Sequence, residues 1–175
     1  MLPFTSEQFL TVFVNYNNAT WPTQVGAYVL GGIAVALVFR QTRTTDRVIA
    51  GILATMWLWT GFGYHELSFS VINKAAHLFA VLFVVQGCYL IYAGAYRHQI
   101  RFGLRRGLAA WVGAAFVAYA AIAYPLIGIA TGHRYPEMPM FGVTPCPVTI
   151  FTFGILLLTI GPVPRWLLAI QSSGR

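Results

Sequence analysis

Repeated apolar stretches of the length a bilayer demands constrain this chain more than any other feature. They run over residues 22–39, 48–64, 75–96 and 108–131, with a shorter one closing near Ile160. A hydrocarbon core about 30 Å thick takes roughly 20 residues of helix. A soluble bundle of buried helices would need many more charges on its outer faces than the 9% this chain carries. The expected fold class is therefore all-α, a polytopic membrane helix bundle. It has about five transmembrane helices plus an N-terminal amphipathic helix, in a single transmembrane domain over 1–175. No internal repeat, linker or second domain is apparent.

The basic residues set the orientation. Arg40, Arg43 and Arg47 lie between the first two apolar stretches, and Arg97, Arg101, Arg105 and Arg106 between the third and fourth. Arg165 and Arg175 follow the fifth, while the opposite side keeps only Lys74 and Arg134. The positive-inside rule puts the arginine loops in the cytoplasm and the N-terminus outside. The net charge of +7 is thus a topology signal that also meets anionic lipid, and nucleic acid is excluded as a partner. No cleavable signal peptide is expected, because the first twenty residues lack a basic start and include Glu7, Asn15, Asn17 and Asn18.

Residues 5–18 read as a short amphipathic helix with Thr5 or Ser6 as N-cap, lying on the outer leaflet or packed as a lid over the bundle. Pro125 is expected to kink the fourth span near its outer end. Ala110, Ala114 and Ala118 form a small-residue ridge along that span. Cys88, in mid-span, reads as core. After Arg165 too few apolar residues remain for another span, so a small cytoplasmic foot or a cut-off end is expected there.

The most awkward stretch is 133–149, which holds four of the nine prolines and runs into an apolar helix stopped by Gly161-Pro-Val-Pro164. Counted from Pro147, that helix has about 14 residues, or roughly 21 Å, too short to cross alone. Thr144-Pro-Cys-Pro147 is therefore expected to dip below the membrane surface as non-helical chain, covered by protein or a water-filled cavity.

Chemistry-bearing groups collect at the same end. His65, Glu66, His133, Glu137 and Cys146 fall at or near the outer ends of spans, and His77 joins them at the start of the third. Imidazole, thiolate and carboxylate together are the ligands of zinc or copper, which makes a transition metal the candidate cofactor. Cys146, His65, His77 and His133 would be its ligands, with Glu66 or Glu137 as proton or ligand partner. Cys146 would also sit in a first helical turn, where the helix dipole lowers a thiol pKa and favours anions. The bland alternatives are solvated loop residues for His65, Glu66 and His133, a packed histidine bonded to a carbonyl for His77, and an apolar filler for Cys146. No strong metal, nucleotide or nucleophile motif is present.

At Phe141-Gly-Val-Thr-Pro-Cys-Pro-Val-Thr-Ile-Phe-Thr-Phe-Gly154 the chain resembles a bacterial family of uncharacterised multi-pass integral membrane proteins. Leu2-Pro-Phe-Thr-Ser-Glu-Gln-Phe9, Trp21-Pro22, Trp59-Thr-Gly-Phe-Gly-Tyr-His65 and Gly161-Pro-Val-Pro-Arg-Trp166 fit the same family. The resemblance implies a fold and a bacterial inner-membrane location, and no activity.

Three functions follow as expectations. The first is an accessory or structural subunit packed against other membrane subunits or a second copy of itself. The second is transport or binding of a metal ion or small solute at an outward-facing Cys/His site. The third is a membrane enzyme with Cys146 as nucleophile and a histidine base.

Overall fold

The computed structural model describes residues 4–104 and 107–161, and the end of the chain beyond 161, with its expected foot, lies outside the described residues. The regular elements are α1 (Ser6–Ala19), α2 (Thr23–Val38), α3 (Arg43–Trp59), α4 (Ala76–Leu90), α5 (Leu108–Ala118), α6 (Tyr124–Ala130) and α7 (Pro145–Leu157). Helices α3, α4 and α5 each continue into a π-helical turn, over Thr60–Glu66, Ile91–Tyr96 and Tyr119–Ala123.

Among the described residues two helices are long and apolar enough to cross a membrane, Ala76–Tyr96 and Leu108–Ala130, or three if the bent pair α1 and α2 counts as one span. The other expected spans fall short for visible reasons. Helix α2 has only 16 residues and α7 only 13. Helix α3 begins inside the arginine loop, so its first turns carry Arg43, Asp46 and Arg47.

Helix α3 is the centre of the bundle, touching α2, α4 and α7. Ile49, Ala50, Leu53, Ala54 and Trp57 recur at helical spacing and are all buried. On α7 the matching face is Val148, Phe151, Thr152 and Ile155. A helix too short to span by itself is thus wrapped by its neighbours, the cover that backbone at membrane depth would require. The Trp57 indole N–H donates to Thr152 Oγ1 at 2.8 Å, and Thr152 passes its own proton to Val148 O, also at 2.8 Å.

Small residues set the helix spacings. A Cβ added at Gly87 would lie 3.2 Å from Ala54 O, and one at Gly61 would lie 3.1 Å from Ala80 O, so α3 and α4 touch through backbone. The crossing of α5 and α7 is closer still, with Gly113 and Gly154 face to face. Of the expected alanine ridge on α5, Ala110 is buried. Ala114 and Ala118 are exposed.

Where a kink was expected at Pro125, the helix carries the π turn Tyr119–Ala123 just before the proline, and Leu108–Ala130 runs as one helix. Proline brings no N–H to the carbonyl of Ala121 four residues back. The Tyr28 hydroxyl of α2 donates to that carbonyl at 3.2 Å, so the break is repaired from a neighbouring helix. Tyr28→Phe should therefore cost about 0.5–1.5 kcal/mol, measured as a lower melting temperature in detergent; an unchanged temperature would mean that the π turn satisfies Ala121 by itself.

Helix α1 packs as a lid. It turns 82° away from α2 and buries Val12, Phe13, Tyr16 and Asn17 on the bundle. Thr5 is the N-cap, in a capping box with Gln8. Trp59 Nε1 donates to the Tyr16 hydroxyl at 2.8 Å, which in turn donates to Val143 O at 2.7 Å. Burial pushes the Tyr16 phenol well above its usual range, so it keeps the proton it donates. Asn17 Nδ2 donates to Pro136 O at 2.7 Å and Met138 O at 2.9 Å, fixing the proline-rich connector beneath the lid. Asn17→Ala should cost about 1–3 kcal/mol by orphaning those carbonyls. The check is faster proteolysis of residues 132–144, and an unchanged cleavage rate would remove Asn17 from this role.

Candidate functional site

The start of α7 differs from the non-helical entry expected. Helix begins at Pro145, directly after Thr144. Proline suits a first turn because its missing N–H would have had no helical acceptor. With Pro145 and Pro147 both lacking that donor, Cys146 holds the single N–H among 145–147. Thr144 consequently makes no cap and donates its hydroxyl to Met140 O at 2.8 Å.

This turn forms part of the wall of a cavity of about 490 Å³. Cys146 shares the lining with His65, Tyr64 and Tyr124, and with Trp57 and Phe83. The π turn Thr60–Glu66 inserts one residue into the helical register, which brings Tyr64 and His65 inward together; both are buried. The turn over Tyr119–Ala123 likewise presents Tyr124, whose hydroxyl lies beside the Cys146 thiol. Such one-turn bulges recur where a helix must aim a side chain at a site.

His65 stands out within this lining. It is 5% exposed, yet neither ring nitrogen has a hydrogen-bond partner. Its neighbours are rings, with Phe83 at 4.8 Å and Phe79 at 5.8 Å between centroids. Buried polar groups are ordinarily paired, at a cost of about 1–3 kcal/mol when they are not. The solvated-loop reading of His65 is therefore corrected, because the π turn carries it inward.

The other predicted residues lie elsewhere. His77 is exposed and its Nδ1 pairs with Glu66 Oε2 at 2.9 Å, a carboxylate in place of the carbonyl expected. His133 and Glu137 line a separate cavity of about 660 Å³ under α1, which shares Phe9, Phe13, Tyr124 and Pro139 with the first. His133 is exposed, with Nδ1 3.4 Å from Thr131 Oγ1. The shared metal set of Cys146, His65, His77 and His133 is thus not assembled. Among the described residues no three of His, Cys, Asp and Glu are grouped to hold a metal ion. The physical reason is direction: His77 points out to Glu66, and His133 sits in the connector on the far side of Tyr124. Cys146 is exposed, so it is no buried filler, and Cys88 is exposed too, so it is not core.

Tyr124 and Tyr64 were missed by sequence reading. Aromatic residues near span ends read as interface anchors, and only the π turns redirect these two. The pairing Tyr124-Pro125 was the available signal, since a proline there forces the local bulge.

The profile of a family of unknown function, DUF6064, matches residues 6–172. The chain belongs to that family. The DUF6064 match runs from the first residue of α1 past the end of α7, so the lid, the connector and the recess all fall inside it. No curated protein and no solved structure matches the chain.

Proposed function

We propose that this DUF6064 protein is a small-solute-binding protein of the bacterial inner membrane, with the recess between His65 and Cys146 as its binding site. In this reading all four long apolar stretches cross, the shorter fifth helix crosses with its entry covered by its neighbours, the N-terminus is outside, and α1 lies across the outer mouth. The observation that carries it is His65, buried in the cavity wall with both nitrogens unpartnered. A cavity of about 490 Å³ walled mostly by rings suits a compact, largely apolar molecule with one hydrogen-bonding group. That group would satisfy the imidazole, and the Cys146 thiol and Tyr124 hydroxyl would fix its orientation. No metal is part of this reading.

The test uses 1-naphthol, an apolar ring system with a single hydroxyl, in a Cys88→Ala background so that Cys146 is the one reactive thiol. Saturating 1-naphthol is expected to slow maleimide alkylation of Cys146 at least about fivefold, with its Kd raised about tenfold in His65→Phe. An alkylation rate indifferent to the probe would refute the site.

A second reading, the accessory subunit, is favoured by one observation. Only 11% of the most apolar window of Leu108–Ala130 is buried within the chain, leaving a broad face for a partner subunit or a second copy. Cysteine crosslinking from Ala114→Cys in native membranes tests it; a purely monomeric pattern counts against it.

A further inference from the structure

The opposite end of the bundle holds a further, polar cavity of about 320 Å³, independent of the recess. It is lined by Gln41, Thr42, Arg43, Asp46, His98 and Arg101. Its walls are fixed by backbone. Phe102 forms an isolated antiparallel bridge with Thr159, Ile160 N donates to Arg101 O at 2.9 Å, and Gly103 N donates to Leu158 O at 2.8 Å. Asp46 is buried and accepts the Phe102 N–H at 2.9 Å, which ties the start of α3 to the connector after α4.

The positive groups here make no ion pair among the described residues, the cavity's one carboxylate, Asp46, being bonded to the Phe102 backbone. Among the described residues the one ion pair is His77 with Glu66, at the other end of the molecule. Neither Arg43 nor Arg101 has a carboxylate within reach among the described residues. His98 is held by Arg47, whose Nε donates to His98 Nε2 at 3.0 Å. With Nε2 accepting, the ring proton sits on Nδ1, and that atom is buried without a partner. Two guanidinium groups, an imidazole and the Gln41 amide therefore meet at one cavity against a single carboxylate already bonded to backbone, while the Thr42 hydroxyl is taken up by Thr45 in the cap of α3. Topology alone calls for arginines somewhere in the loop. It does not call for a walled pocket with unpartnered donors.

We infer that this cavity binds a phosphate group, carried either by an anionic lipid headgroup or by a soluble phosphate ester. Guanidinium forks match phosphate oxygens in pairs, and the start of α3 adds the positive end of its dipole. On the side where the arginine loops are expected to face anionic lipid, both sources are within reach.

The test uses the full chain, delipidated and placed in nanodiscs. Discs of phosphatidylcholine alone are compared with discs also containing phosphatidylglycerol, and glycerol 3-phosphate is added to the first kind. Phosphatidylglycerol retained in native mass spectrometry identifies the lipid source. A melting temperature raised by glycerol 3-phosphate identifies the soluble one. In either case Arg43→Gln with Arg101→Gln should weaken binding about thirtyfold, Arg101→Gln alone about tenfold, and Arg97→Gln, outside the cavity, not at all. The melting temperature without ligand shows whether the double variant folds, and the single variant decides if it does not. Neither probe bound by the unmodified chain, or equal binding by the arginine variants, overturns the inference.

Discussion

Gly154→Leu is expected to leave no folded protein. A Cβ at this position would stand 2.8 Å from Gly113 O and 2.9 Å from Val117 N, both backbone atoms of the facing helix. Real Cβ atoms do not approach so closely, and backbone cannot rotate aside as a side chain can. The helices must separate, and α7 is the link between α3 and α5. Even Gly154→Ala should cost about 1–3 kcal/mol by overpacking, and the larger leucine more. Gly26→Ala is the control, since nothing lies within 4 Å of a Cβ there and alanine favours helix. Size-exclusion profiles and melting curves of the three variants check this. A monodisperse Gly154→Leu protein would show that the α5–α7 crossing is not as tight as drawn.

Trp57→Ala should be the most damaging truncation in the core. Trp57 is 2% exposed, its ring centroid lies 4.3 Å from that of Phe83, and its N–H is taken by Thr152. Emptying such a site costs about 3–5 kcal/mol. Trp57 also forms part of the recess wall, so the vacated volume should merge with the cavity there. Trp57→Phe separates the two contributions. It keeps a ring against Phe83 and gives up only the hydrogen bond, for about 0.5–1.5 kcal/mol. Thr152 keeps its bond to Val148 O in both variants. Equal destabilisation by alanine and phenylalanine would mean that the indole N–H, not the ring, holds the core.

Much of this was legible in the chain. The helices follow the apolar stretches to within a few residues, apart from α3, which starts earlier because Thr42 caps it inside the arginine loop. The N-cap of α1 and the unpaired carbonyl opposite Pro125 were readable because capping and the missing proline N–H are local effects. The recess pair His65 and Cys146 was within the candidate set, but so were four residues that lie elsewhere. Sequence places a residue at a helix end without giving its azimuth. A π turn changes that azimuth by an inserted residue, and neither Gly61 nor Gly63 announces it. The lid contacts of Tyr16 and Asn17 join residues more than a hundred positions apart, which no local pattern encodes.

The two prolines flanking Cys146 give the molecule an electrical asymmetry. A helix start ordinarily offers a crown of N–H groups that welcomes carboxylates and phosphates. Here that crown is shorn of two of its points, so the recess has little to offer a negatively charged visitor. The far end keeps the guanidinium groups of Arg43 and Arg101 unspent. A neutral guest above and an anion below would then meet the same protein on different terms, sorted by charge before shape is consulted.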